Sequence, residues 1–235
     1  NPKTMLDNIR PSTKTISQEK ALSKNFVSNV FSLMFIALGI TGTTAYWFAS
    51  SGLVLSLSGT VGWIVMLAPL ALVFVMGGAF KKLSAMTMMV IFIVYSLLMG
   101  MSLSYIFLAY ELGTITSTFF ITAGTFGTMA VLGYTTSTDL TKFGSILFMA
   151  LIGIIIASVV NWFMGSAQLD YIISIAGVLI FTGLTAYDVQ KIKRIGSSIE
   201  FEGETKQKLV IMGALNLYLD FVNLFLFILR MFGRD

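Results

Sequence analysis

Apolar positions run along this chain in long blocks, broken at short intervals by polar connections. Seven blocks, at about 25–49, 61–80, 86–110, 113–134, 145–165, 171–190 and 209–230, reach the ~20 mostly apolar residues that a helix needs to cross ~30 Å of hydrocarbon. The pattern predicts an all-α integral membrane protein with seven transmembrane helices in a single domain over 25–235. Residues 1–24 are polar and mixed in charge and predict a tail at the surface. That tail has no short apolar stretch ending in a small-residue cleavage site, so no signal peptide is expected. The connections are short except for a polar one at 191–208. Within the fourth block, "TAGTFGTMAVLG" sets Ala123, Gly124, Gly127 and Gly133 as small surfaces for close helix contact.

Composition sharpens this picture. Of 235 residues, 56% are hydrophobic and 11% charged, against about 25% charged in a soluble domain. There is no cysteine, which excludes disulfides, thiol catalysis and Cys-ligated metal. There is no histidine either, which removes the usual physiological-pH switch and every Ser-His or Cys-His arrangement. The net charge of +4 reflects orientation and not nucleic-acid binding. With the N-terminus in the cytoplasm, 13 of the 15 Lys and Arg residues fall on that side of seven spans. A re-entrant last segment would place all 15 inside, so charge alone leaves six spans plus a hairpin open.

Two carboxylates interrupt the apolar pattern. Asp188 lies near the end of the sixth block, three residues before Lys191, and Asp220 lies in the middle of the seventh. A charge at the centre of a membrane helix costs ~2.5–3.5 kcal/mol even on lenient scales, so such residues face the bundle interior or a wet cavity. Asn216, Asp220 and Asn223 share one helical face, and Thr185 shares a face with Asp188. Consecutive antiparallel spans would let the two polar stripes meet. At ~4 Å and an effective dielectric of ~20, two carboxylates repel by ~4 kcal/mol. That repulsion favours a proton held between them, and a chain without histidine would respond to neutral pH through the pair. Depth works against the meeting: at ~1.5 Å per residue Asp220 is ~16 Å into its span, whereas Asp188 is ~4 Å from Lys191. The pair forms only if span six continues past its basic residues or span seven starts deep. Otherwise Asp188 reaches toward water and pairs with Lys191 or Lys81.

The segments "GLTAYDVQKI" and "ALNLYLDFVNLFLFILRMFG" carry a resemblance. With the seven-span region around them, they resemble the transmembrane Bax inhibitor motif family, also called the lifeguard family. The resemblance implies a bundle whose last helix is central and wrapped by the other six. It also implies a pH-sensitive calcium leak across the membrane of a bacterial cell, gated by an aspartate pair that falls on Asp188 and Asp220. Tyr187, beside Asp188 in the first motif, joins Thr185, Asn216 and Asn223 as supporting polar residues. A basic latch near the end of span two falls on Lys81 or Lys82, where lysine lacks the bidentate fork of arginine. Extra acids at Glu200, Glu202 and Glu204 read as a solvated loop.

Calcium prefers 6–8 oxygen ligands, and two carboxylates supply at most four. The site is therefore expected to hold calcium weakly, as a transported ion and not as a cofactor, with Asn216, Asn223, carbonyls or waters completing it. Two contrasting roles remain in view. Aspartyl intramembrane proteases also pair "YD" with an aspartate on the next helix, but "YLDF" lacks their preceding glycines, and only Pro2, Pro11 and Pro69 are present. The expectation is therefore no enzyme. A regulatory protein that binds other membrane proteins is the second alternative, though the chain has no recognisable partner motif.

Overall fold

The computed structural model describes residues 13–197 and 203–232. Seven helices long and apolar enough to cross a membrane follow one another. They are α1 (Thr13–Ser50), α2 (Gly59–Gly78), α3 (Ala85–Leu103, followed by a one-turn helix at Ile106–Ala109), α4 (Leu112–Thr135), α5 (Thr141–Met164), α6 (Ala167–Ser197) and α7 (Gly203–Phe232). A 3-10 turn at Leu53–Ser56 joins α1 to α2, and among the described residues there is no strand. The reason for helices is the solvent: each backbone N–H and C=O in hydrocarbon must find a partner within its own segment.

The helix ends depart from the hydropathy pattern in two places, and both departures have one cause. α1 already begins at Thr13, so part of the expected 1–24 tail is helical. Ser23 is buried there, donating from its hydroxyl to the Lys193 carbonyl at 3.0 Å. Residues 1–12 lie outside the described residues. α6 likewise runs on through Lys191, Lys193 and Arg194 to Ser197, so most of the polar 191–208 connection is helix. Glu200 and Glu202 lie outside the described residues.

The cations at this end stay on helices because neighbouring helix ends offer acceptors. Lys193 Nζ donates to the Tyr134 carbonyl at the end of α4 (2.6 Å). Lys208 Nζ, on α7, donates to the Phe80 and Leu83 carbonyls just past α2 (3.1 Å each). Cations are favoured at helix C-termini by the unpaired carbonyls and the dipole. The converse holds at the start of α3, where Glu204 Oε1 accepts from the Ala85 N–H at 2.9 Å.

α7 settles the question of a re-entrant last segment. It has 30 residues, ~45 Å at 1.5 Å per residue. Arg230, in its last turn, pairs with Asp170 in the first turn of α6 at 3.4 Å. The two helices therefore run antiparallel along their full length.

Burial separates centre from periphery. In the most apolar stretch of each helix, 61% of residues are buried in α6 and α7, against 17% in α2 and 11% in α5. α7 packs chiefly against α1, α3, α4 and α6, and α6 against α1, α4, α5 and α7. The centre is thus a pair of helices. α2 leans on α3 and α5 leans on α6, so the expected last helix wrapped by all six others is narrowed to one packed on four. Close approach is achieved at Gly133, whose Cα faces the Ala186 backbone so tightly that a Cβ would collide with it. Gly124 and Gly127 face open space instead, as glycines on a lipid-facing surface do.

Candidate functional site

The unbroken course of α6 brings its aspartate to the other. Asp188 on α6 and Asp220 on α7 are each 5% exposed and their carboxyl groups are near enough to share a hydrogen bond. Both line one cavity of about 300 Å³ between α5, α6 and α7. Asn216 and Asn223 line it too, one turn to either side of Asp220. The remaining wall is largely apolar, with Phe148, Leu151 and Ile154 from α5, Phe181 from α6 and Phe227 from α7.

Among the described residues, Asp188 Oδ1 and Asp220 Oδ2 are fully enclosed and have no hydrogen-bond partner. Asn223 does not supply one: its Nδ2 donates to the Leu219 carbonyl at 2.8 Å, and its second N–H does not reach either oxygen. Buried polar atoms are otherwise almost always paired, and two ionised carboxylates cannot donate to each other. The arrangement is chemically complete only with a proton or a cation between them. Burial removes the water that would screen their repulsion, which makes that requirement stronger.

A second cavity of about 300 Å³ lies on the other side of Asp188, toward the end of the bundle that carries the lysines. Phe26, Phe80, Lys191 and Ile195 line it together with Asp188 and Asn216. Asp188 and Asn216 therefore belong to the walls of both cavities. The cation that adjoins Asp188 is Lys191, an exposed residue one turn along the same helix.

The other expected site residues stand elsewhere. Thr185 is fully buried and donates to the Phe181 carbonyl of its own helix at 2.8 Å, outside both cavities. Tyr187 turns toward α5, where its ring packs edge-on against Phe148 at 6.2 Å and over Gly144. Lys81 and Lys82 are exposed in the turn between α2 and α3. The described ion pairs do not join either to Asp188, so the structure does not bring the expected latch to the pair. A cluster of three or more acidic side chains able to hold a metal is absent among the described residues.

Sequence reasoning missed three features. The first is the α5 wall of the main cavity, including Ser158; its side chains look like any lipid-facing stripe until α5 is placed against α6. The second is a polar cluster at the bundle centre. Thr41 Oγ1 donates to the Ser96 carbonyl at 2.9 Å, and the Tyr218 hydroxyl donates to Thr41 Oγ1 at 2.7 Å. Tyr218 is two residues from Asp220, ~200° around α7, so it belongs to the opposite face. A further polar cluster closes the end of α6. Arg194 pairs with Asp139 at 2.7 Å, and hydrogen bonds from Thr141, then from Arg194, hold the exposed Asp139 carboxyl well below the usual carboxylate range.

The sequence is similar to those of known proteins. A family model described as "Inhibitor of apoptosis-promoting Bax1" matches residues 23–235. The chain is 44% identical over 230 residues to inner membrane protein YbhL of Escherichia coli strain K12, covering 95% of this chain and 97% of that one. It is 46% identical over 220 residues to an uncharacterized protein of Borreliella burgdorferi, covering 92% and 95% respectively. Protein RP147 of Rickettsia prowazekii, also uncharacterized, is 44% identical over 215 residues, 90% of each chain.

Proposed function

The chain belongs to the Bax inhibitor family of multi-pass integral membrane proteins, and from that premise we propose that it is a pH-sensitive cation leak, with calcium as the transported ion, gated by the Asp188–Asp220 pair. The observation that carries the reading is the position of the pair. Two enclosed carboxyl groups, each with an unpartnered oxygen, line one cavity, and Asp188 lines a second as well. A proton held between them removes one of the two negative charges and closes the site to cations. Loss of that proton leaves acceptor oxygens from Asp188 and Asp220, which with the Asn216 and Asn223 carbonyls form a weak oxygen site. Weak, multi-ligand binding suits passage, because an ion must leave as readily as it enters.

The location follows the same way. Lysines and arginines gather at the end that carries the α2–α3 turn and the α6–α7 connection, which supports a cytoplasmic position for that end and the N-terminus. The membrane is a bacterial inner membrane, as for the E. coli relative.

Calcium entry into proteoliposomes, measured at stepped pH, tests the proposal. Entry is expected to rise as the pH is raised through neutrality and to lose that dependence in Asp188→Asn and Asp220→Asn. Flux with the wild-type pH profile in both variants would remove the pair from the mechanism.

A further inference from the structure

The main cavity has a shape that a path for hydrated ions alone does not require. α5 and α7 both line it without packing extensively on each other, so the cavity is a groove floored by α6. Two of its α5 side chains, Ile155 and Phe148, are 54% and 45% exposed. They lie on a helix whose outer face meets lipid, so the groove opens sideways into the membrane. Its depth is acidic and its walls are apolar. Asp188 and Asp220, each 95% buried, line its polar end, and each also keeps one enclosed oxygen without a partner.

We propose that this groove binds an ammonium group carried on an apolar chain. The ammonium lies against Asp188 and Asp220, and the chain runs along Leu151, Phe181 and Phe227 toward the opening. An ammonium brings three donors, enough for the two carboxyl groups and the Asn216 carbonyl oxygen that line the groove. It carries the charge that two close carboxylates lack. The apolar chain fills wall that neither water nor a hydrated ion satisfies, and ~300 Å³ is the lower end of the size range for small-molecule sites. Phosphatidylethanolamine offers the same ammonium but brings a phosphate beside it, which carboxylates repel; a single-chain amine has no such conflict. The inference rests on reading the pair as a cation site, and does not require that calcium crosses.

The test is equilibrium binding of radiolabelled octylammonium to the purified full chain in phosphatidylethanolamine-free vesicles, with octanol as the neutral counterpart. Saturable binding at one site per chain is expected, about tenfold or more tighter than octanol, the scale of one charge-assisted contact. Asp220→Asn should erase the preference for the amine. Leu151→Trp, which fills the groove and leaves both carboxyls in place, should weaken binding by a similar factor. Equal binding of octanol, or unchanged binding in either variant, would overturn the proposal. Repeating the measurement with phosphatidylethanolamine present separates the sources: competition assigns the site to the lipid headgroup, and unchanged affinity assigns it to free amines. Calcium flux measured alongside separates the two readings. Flux dependent on Asp220 without amine binding sinks this inference alone, whereas amine binding without flux sinks the leak alone.

Discussion

Two buried polar groups sit back to back on α7, and they differ in one respect. On one face Tyr218 donates to Thr41, which donates to the Ser96 carbonyl, and the Tyr95 and Phe92 rings seal the cluster against Tyr218 at 5.4 and 6.1 Å. On the other face Asp188 and Asp220 are also buried but keep oxygens without partners. A hydrogen-bonded polar group inside a bundle specifies which helices meet and how. An unsatisfied one costs stability, of order 1–3 kcal/mol and more when charged. A fold that retains such a cost at one face, while satisfying the other, keeps it for something other than folding.

The comparison can be broken most directly by exchanging the two behaviours. Replacing both aspartates, Asp188→Asn with Asp220→Asn, should abolish pH-dependent cation flux while the thermal midpoint in detergent stays level or rises. Asparagine can donate where carboxylate cannot, so the orphaned oxygens gain partners. A lower midpoint with intact flux would reverse the assignment of roles. Next in size is Lys208→Met, which removes two charged donors from the Phe80 and Leu83 carbonyls. A destabilisation of about 2–3 kcal/mol is expected by unfolding titration, because those carbonyls close the α2–α3 turn. Tyr218→Phe keeps the ring and deletes only the donor to Thr41. It should cost about 1 kcal/mol and leave flux and its pH profile unchanged, the mirror image of the aspartate double variant.

The smallest effect is expected at the exposed end of α6. Asp139→Asn should shift the midpoint by a degree or so at neutral pH, since exposed ion pairs contribute little. The sign is nevertheless fixed. The folded protein holds the Asp139 carboxyl below its ordinary range, so its contribution is present above that range and is lost as the pH falls through and below it. Wild type and Asp139→Asn should therefore converge in midpoint under acid. Divergence in acid would show that the Arg194–Asp139 contact is not formed in solution.

Much of this molecule was legible in order along the chain. Hydropathy alone locates the seven spans to within a few residues at most ends, because the length of an apolar block is dictated by the thickness of hydrocarbon. Position alone also singles out Asp220, since a carboxylate in mid-span must face inward. Polar residues at helix ends were less legible. Lys193 and Lys208 read as a solvated loop because their partners, the Tyr134, Phe80 and Leu83 carbonyls, lie on other helices.

What the chain determines by itself, then, is the number and place of the apolar blocks and the presence of a cost at Asp220, both of which follow from the exchange of each segment between water and lipid. Tertiary structure decides which polar groups are satisfied. Tyr218 finds Thr41 and Asp188 finds Asp220 only when α1 and α6 are laid against α7. Helical spacing says which side chains share a face. It is silent on what the facing helix offers them, and in a medium without water that offer determines whether a polar residue is structure or function.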